Sequence, residues 1–214
     1  MNNFPKTVII AFDGTAASGK GTIAKLIAKE LGYDYLDTGL MFRKVAYYCL
    51  KHNISFDDEQ KICMLIDTID FNKNVGEQEL YANEISDAAS KIAVQKQVRE
   101  HLLMVQRNFA NGKKGVVVDG RDIGTVVFPK ADFKFFFDAS LEQRTNRRYN
   151  QLQKKEKDAI FSQVLEQLKT RDQRDKERCI APLKKAHDSF EIDTTDLSVQ
   201  EVFDIVLKKV KQTN

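Results

Sequence analysis

A glycine-rich segment that contains a lysine carries the clearest chemical signal in this sequence. It runs from Gly14 to Thr22 as G-T-A-A-S-G-K-G-T, after a short apolar run and before a segment with helical spacing. Glycines let the backbone fold around a phosphate with its N–H groups directed inward, where they meet the positive end of the following helix. Lys20 can reach the β- and γ-phosphates of a nucleotide as a mobile positive charge. The segment therefore predicts a nucleoside triphosphate-binding loop.

The residue after this lysine departs from the general pattern of such loops. A serine or threonine that contacts Mg²⁺ usually stands there, whereas this chain has Gly21 and places the hydroxyl one residue later, at Thr22. Either Thr22 contacts the ion, or the ion is held largely through water and the oxygens of the substrate. The second arrangement suits the reluctance of Mg²⁺ to lose its water, and the sequence leaves both open.

Two further segments could face the same loop. Asp37-Thr38-Gly39 leads into a helix that contains Arg43, and Asp119-Gly120-Arg121-Asp122 follows a strongly apolar run. In an open parallel sheet, the loops after the carboxyl ends of the strands line the ligand crevice. The three segments together therefore predict a phosphotransferase, in which a second substrate lies opposite Lys20.

The elements that position these segments are predicted to be a parallel sheet and its helices. Short apolar runs alternate with long segments of helical spacing, which is typical of an α/β protein. A run as continuous as the first one is typical of a strand that is buried on both faces. We therefore expect a five-stranded sheet with helices on both sides. The strands are expected at Thr7–Phe12, Tyr33–Leu36, Gly115–Val118, Phe133–Phe137 and Phe190–Ile192.

Local signals predict the helix ends and the division of the chain. The first helix should end at Gly32, because glycine readily adopts the left-handed conformation that closes helices. The last helix should begin at Ser198, where Glu201 completes a capping box, and Ile85–Val98 also looks helical. We expect a core of residues 7–62, 100–148 and 179–214, an insertion at about 63–99, and a charged segment at about 149–178.

Composition limits the class of protein and its partners. The chain has 214 residues, of which 42% are apolar and 30% charged, which is globular composition. The net charge is only +3, so we expect no nucleic-acid partner, and any attraction to phosphate must come from local placement. No apolar run approaches the roughly 20 residues of a membrane span. An odd number of cysteines without a C-x-x-C pair predicts reduced thiols in a cytoplasmic protein.

A regulatory GTPase is the rival from a different functional class, and the sequence argues against it. Such a switch would need an Asp-x-x-Gly segment to sense the γ-phosphate and an Asn-Lys-x-Asp segment to read guanine. No glycine of the chain has an aspartate three places before it, and Asn72-Lys73-Asn74-Val75 lacks the final aspartate.

The motifs together resemble those of one family, the bacterial cytidylate kinases. The resemblance rests on Tyr35–Gly39 with Arg43, on Asp119–Pro129, and on Arg171–Asp175 with Arg178–Leu183. It extends from Val8 to Val206, and the run G-R-D-I-G-T-V-V-F-P is its most specific part, whereas the glycine-rich loop marks only the P-loop superfamily. It implies a P-loop nucleoside-monophosphate-kinase fold, with residues 63–99 as a small monophosphate-binding insertion and residues 149–178 as a lid with its flanking helices.

The resemblance implies that the γ-phosphoryl group of ATP is transferred to CMP or dCMP, giving ADP and CDP or dCDP, with Mg²⁺ present. It assigns catalysis to Lys20, Asp119, Arg121 and Arg178, with Asp119 orienting waters around Mg²⁺, so no residue is assigned as a direct metal ligand. ATP would be held by Gly14, Thr15, Ala16, Ala17, Ser18, Gly19, Lys20, Gly21 and Thr22.

The resemblance also implies how the second substrate is held. Arg43, Arg121 and Arg178 would clamp the phosphate of CMP, with Thr38 alongside. We assign Asp122 to the base, because a carboxylate accepts a hydrogen bond from the amino group of cytosine and repels the carbonyl of uracil. The family match adds Ser90 and Arg99 to the base pocket, and Arg171 and Asp175 to the sugar.

Two alternatives stay open within the same class of enzyme. The insertion is shorter than is common in the family and lacks its Ile-Arg-Thr stretch before Ala88-Ala89-Ser90. The chain could therefore be a broader UMP/CMP kinase, or a P-loop kinase for another metabolite. We expect a monomer that binds small nucleotides and neither nucleic acid nor membrane.

Overall fold

A computed structural model describes residues 6–73, 75–80, 82–154 and 159–212. Residues 155–158, within the predicted lid segment 149–178, lie outside the described residues, as does Asn74 of the segment compared with the guanine-reading motif. Within the described part of the chain, no helix is both long and apolar enough to cross a bilayer.

The five strands form one sheet in the order β2-β3-β1-β4-β5, and all four pairings are parallel, as predicted. Each strand continues one or two residues beyond its predicted end, because the added residues, an Asp-Gly pair in the first strand and one aspartate in each of the others, keep their backbone pairing although they are polar. The strands are β1 (Val8–Gly14), β2 (Asp34–Asp37), β3 (Gly115–Asp119), β4 (Phe133–Asp138) and β5 (Phe190–Asp193).

Helices cover both faces of the sheet. The predicted glycine stop is confirmed at Gly32, which has φ 63°, and the predicted capping box is confirmed at Ser198 and Glu201. The helices are α1 (Lys20–Leu31), α2 (Thr38–Lys51), α3 (Glu59–Ile66), α4 (Glu77–Leu80), α5 (Asn83–Ile92), α6 (Lys96–Asn108), α7 (Leu141–Gln153), α8 (Phe161–Glu177) and α9 (Val199–Lys211), with a single π-helical turn at Ile123–Val127.

The side chains of β1 divide the core into two layers. Ile10 and Phe12 pack with the apolar residues of α1 and α9, whereas Ile9 and Ala11 pack on the other face with α2, α3, α5 and α6. All four side chains are buried. Because successive strand residues point to opposite faces, a strand between two helical layers must be apolar throughout. The glycine-rich loop is thus attached to a strand that is buried between two helical layers.

The prediction of one helix across Ile85–Val98 is wrong, because the chain leaves helical geometry between α5 and α6. Gln95 is extended, with φ −77° and ψ 130°, and its side-chain amide donates to the carbonyl of Phe56 at 2.5 Å. Arg99 donates to the carbonyl of Ala93 at 3.0 Å. The bond from Arg99 satisfies a backbone carbonyl at the break, and the bond from Gln95 ties the break to a distant segment, although no glycine or proline marks this position.

Three of the predicted domain limits fall inside helices, and one of them is the expected end of the insertion at residue 99, through which α6 is continuous. α3 is continuous through residue 63, where the insertion was expected to begin, and α7 is continuous through residue 149, the expected start of the lid segment. α3 packs against both α2 and α6. The first part of the predicted insertion is therefore built on the same helix as the core.

The exit of β1 into the glycine-rich loop leaves no space for a side chain. A Cβ at Gly14 would lie 2.0 Å from the carbonyl oxygen of Phe137, and its φ of 150° disfavours other residues. We expect Gly14→Ala to lower the free energy of unfolding by more than about 3 kcal/mol, since β1 and β4 would have to separate.

Gly32→Ala is the matched control, because its Cβ would meet nothing within 4 Å. It should cost only the roughly 1–2 kcal/mol of a left-handed conformation. Urea unfolding of both variants measures the difference. Equal losses of stability would contradict the steric explanation.

Candidate active site

The glycine-rich loop has its backbone amides free to meet an anion. Ala17 and Gly19 both have positive φ, at 60° and 89°. The amide of Thr15 donates to Phe137 and that of Thr22 to Gly19, and among the described hydrogen bonds none comes from a backbone amide between those two positions. Alternation of right- and left-handed residues turns successive N–H groups toward one point. The loop is therefore built as an anion cradle at the start of α1.

The loop's carbonyl groups are held by side-chain donors. The carbonyl of Thr15 accepts from the Ser18 hydroxyl at 3.0 Å and from the Lys20 ammonium at 3.2 Å. The carbonyl of Ala16 accepts from Arg144 of α7 at 3.3 Å. Because each donor fixes the direction of a peptide plane, these bonds also fix the direction of the neighbouring N–H groups.

Thr194, which follows β5, completes this support from behind. Its hydroxyl donates to the carbonyl of Ser18 at 2.8 Å, and it accepts from Arg147 at 2.9 Å. Neither residue was singled out as a site residue from the sequence. A single threonine after a strand carries no motif, so only the fold shows that it positions the loop.

A cavity of about 340 Å³ lies beside the loop, at the carboxyl edge of the sheet. It collects residues from the loops after β1 and β3, from β2, and from α1, α2, α5, α6, α7 and α8. The predicted residues that line it are Ala16, Ala17, Gly19, Lys20, Gly21, Thr22, Thr38, Arg43, Ser90, Arg99, Asp119, Arg121, Asp122, Arg171, Asp175 and Arg178. Most of the predicted site residues are thus brought together in one place.

Three predicted residues of the loop do not line this cavity. Gly14 lies within β1. The hydroxyl of Thr15 donates to Asp138 at 2.8 Å, and that of Ser18 points back to the loop itself. The side chains of Thr15 and Ser18 are therefore structural, and Gly14 has no side chain to offer a ligand.

Positive charge is in excess in the cavity. Its lining holds eight cationic side chains, Lys20, Lys25, Arg43, Arg99, Arg121, Arg148, Arg171 and Arg178, against four carboxylates, Asp37, Asp119, Asp122 and Asp175. Burial and the nearby Arg121 lower the pKa of Lys20 to about 8 and that of Arg171 to about 9. Cations whose pKa values are depressed by one another indicate a site shaped for a polyanion.

Asp119 occupies the space that a side chain at residue 21 would need. A Cβ at Gly21 would lie 2.7 Å from its Oδ2, which explains why glycine replaces the usual hydroxyl residue. Its Oδ1 is buried without a hydrogen-bond partner and lies 3.7 Å from the ammonium of Lys20. Burial raises the pKa of Asp119, and Lys20 opposes that rise.

The orphaned oxygen of Asp119 fits the Mg²⁺ that accompanies a nucleotide. Mg²⁺ is usually held by one or two carboxylates, by water and by the phosphates of the substrate. Thr22, the other candidate, is exposed at the cavity wall. When bound, the ion would neutralise charge that develops on the phosphates.

Asp122 lies between two arginines at one end of the cavity. Its Oδ2 accepts from Arg99 at 2.5 Å and its Oδ1 from Arg178 at 3.4 Å. Arg99 also lies 5.6 Å from the ring centroid of Phe42. The hydroxyl of Ser90 on α5 is buried and has no hydrogen-bond partner among the described groups. A carboxylate has more acceptor positions than two arginines fill, so this corner can still accept a donor from a ligand.

A second ion-pair group stands between this corner and the loop. Arg121 donates to Asp175 at 2.9 Å, and Arg171 lies 4.0 Å from the same carboxylate. Burial raises the pKa of Asp175, but Arg121 and Arg171 outweigh it and hold the value below the ordinary range. The hydroxyl of Thr38 donates to the carbonyl of Asp119 at 2.8 Å, which ties α2 to the end of β3.

Comparison with known proteins identifies the relatives of this chain. A family model described as cytidylate kinase matches residues 10–212. A cytidylate kinase of Fusobacterium nucleatum is 42% identical over 216 residues, covering 96% of this chain and 98% of the relative. One of Clostridioides difficile is also 42% identical, over 95% of this chain and 98% of the relative.

A solved structure shares the fold at much lower identity. It belongs to an uncharacterized protein of Eubacterium ventriosum and superposes with a TM-score of 0.57 at 14% identity. The superposition covers 96% of this chain and 99% of that one. At this identity the likeness concerns the architecture alone.

The depressed pKa of Lys20 predicts proton uptake when a polyphosphate binds. At pH about 8 the ammonium is partly deprotonated, and a bound triphosphate raises its pKa again. ATP binding should therefore take up protons at this pH, measured by calorimetry in buffers of different ionisation enthalpy. Lys20→Arg is the control, because arginine keeps its charge throughout. The same uptake in the variant, or none in the unmodified protein, would contradict the assignment.

Proposed function

The chain belongs to the cytidylate kinase family, and from this premise we propose that it transfers the γ-phosphoryl group of ATP to CMP or dCMP, giving ADP and CDP or dCDP. The observation that supports this reaction most directly is the convergence of cations from separate segments on one cavity beside the glycine-rich loop. Phosphoryl transfer needs little covalent chemistry from the protein, so alignment and charge neutralisation supply most of the catalysis.

We assign the loop side of the cavity to ATP. The inward amides of the loop would hold the phosphates, and Lys20 would stay with the transferring group. Lys20 already lies within reach of the loop, since its ammonium contacts the carbonyl of Thr15. Asp119 would orient the waters of Mg²⁺, which fits its orphaned oxygen.

The phosphate of CMP would be held by Arg43, Arg121 and Arg178, which come from α2, the loop after β3 and the end of α8. An arginine fork meets a phosphate with two parallel hydrogen bonds, so it fixes direction as well as charge. Arg121 and Arg178 are already oriented by Asp175 and Asp122. Thr38 would act mainly by holding α2 against β3.

Cytosine would lie against Asp122, with Ser90 and Arg99 completing the base pocket. Asp122 can accept from the amino group of cytosine, and the partnerless hydroxyl of Ser90 has both a donor and an acceptor to offer. We assign Arg171 and Asp175 to the sugar; both line the same cavity, and their charged groups lie 4.0 Å apart.

The compartment and the oligomeric state of the protein are part of the same proposal. CMP, dCMP and ATP are small soluble nucleotides, and all three cysteines are free thiols, two of them buried. We therefore propose a cytoplasmic enzyme that acts as a monomer.

A substrate panel tests the reaction. The purified protein should convert CMP and dCMP with ATP, followed by coupled detection of ADP, and should convert UMP and AMP much more slowly. Equal or faster conversion of UMP would make it a pyrimidine kinase of broader choice, and absence of turnover with every monophosphate would overturn the proposal.

Asp122→Asn tests the reading of the base. The amide keeps one acceptor but offers a donor to the carbonyl of uracil, so the preference for CMP over UMP in kcat/KM should fall. One mismatched buried group costs about 1–3 kcal/mol, which corresponds to roughly 5- to 150-fold. Asp87→Asn, on the exposed side of α5, is the control and should keep the preference. An unchanged preference in Asp122→Asn would remove this carboxylate from the base pocket.

A further inference from the structure

Asp13 is a buried carboxylate that does not line the cavity and has no part in the proposed chemistry. It stands next to last in β1 and is only 5% exposed. Its two oxygens accept hydrogen bonds from the backbone amides of Ile123 and Gly124, each at 2.7 Å. Burial raises the pKa of Asp13 to about 7, while the two amide bonds oppose that rise.

The two amides that Asp13 binds are those that open the π-helical turn Ile123–Val127. The first amides of any helical turn have no partner within the turn, and they are usually met by the side chain of the residue just before it. That residue is Asp122, a good capping residue by type. In this structure its side chain makes no capping bond, because both of its oxygens are turned to Arg99 and Arg178.

Asp122 has, in effect, two competing uses. If its carboxylate capped the turn that follows it, it would leave the arginines and the corner of the cavity. The carboxylate of Asp13, which comes from β1, removes that competition, since it already satisfies the amides of Ile123 and Gly124. The approach is close, because a Cβ at Gly124 would lie 3.3 Å from Oδ2 of Asp13 and 3.1 Å from Cδ of Lys134.

We propose that Asp13 is a positioning residue for base selection: it caps the turn in place of Asp122 and so leaves the carboxylate of Asp122 facing the nucleobase of the acceptor nucleotide. The inference rests on the proposed function, because it takes Asp122 as the residue that reads the base. Asp13 acts through Asp122 and touches no substrate.

Asp13→Asn tests the role of this carboxylate. The asparagine keeps one acceptor and sets an NH₂ group against one of the two amides, so the turn should recruit Asp122. The preference for CMP over UMP in kcat/KM should fall at least about fivefold, and KM for CMP should rise. KM for ATP should change less than about twofold. A folded variant that keeps the preference would overturn the proposal.

A double-mutant cycle separates this role from general destabilisation. If Asp13 acts through Asp122, the variant with both Asp13→Asn and Asp122→Asn should lose no more preference than Asp122→Asn alone. Losses that multiply would show that Asp13 acts independently, and the proposal would fall. If the unmodified protein shows no preference for CMP at all, the proposed function fails instead, and the two failures are distinguishable.

Asp132→Asn is the matched control for removal of a carboxylate that caps a backbone amide. Asp132 accepts from the amide of Ile9 at 2.9 Å, at the opposite end of β1. The variant Asp132→Asn should lower the melting temperature of the protein while its preference for CMP over UMP stays unchanged. If Asp13→Asn does not fold, Gly124→Ala applies a milder change, since its methyl would crowd the Asp13 carboxylate at 3.3 Å as well as the flexible side chain of Lys134 at 3.1 Å. A reduced preference in this variant supports the proposal, and an unchanged preference overturns it.

Discussion

The structure depends on the concentration of positive charge in one partly enclosed cavity. Eight cationic side chains face four carboxylates there, although the whole chain carries a net charge of only +3. The carboxylates hold the cations in fixed directions, as in the pairs Arg99–Asp122 and Arg121–Asp175. Four positive charges are left in excess, and a polyanion that enters the cavity would reduce their mutual repulsion. A ligand that binds only the folded chain then also stabilises it.

The parallel sheet brings these charged side chains together at one of its edges. Parallel strands end at one edge, so the segments after β1, β2 and β3 meet there even though they are far apart in the chain. β1 is buried between two helical layers, so the loop that follows it starts from a rigid base. The loop's carbonyl groups are then bound from behind by Arg144 and Thr194, which leaves its amides facing the cavity.

Side chains near the site are divided between holding the backbone and meeting a ligand. Thr15, Ser18, Thr38 and Asp13 have their polar groups occupied by the protein, whereas Asp119 and Ser90 keep buried polar atoms without a hydrogen-bond partner among the described groups. Buried polar atoms are costly when unpaired. Their presence beside a cavity marks where a ligand would complete the hydrogen bonding, and the occupied residues keep those atoms in place.

The sequence by itself determined the five strands and their parallel direction, the end of α1 at Gly32, the start of α9 at Ser198 and the three segments that meet at the cavity, because apolar runs, glycine stops and capping residues act locally. It placed the strand ends too early, since an aspartate at a strand end looks like a turn. It also missed the break at Gln95, which rests on a bond to the distant Phe56. Only the tertiary structure decided that Thr194 supports the loop and that Asp13 caps a turn 110 residues away. These contacts join distant parts of the chain, and such pairings leave no periodic or local trace in the sequence.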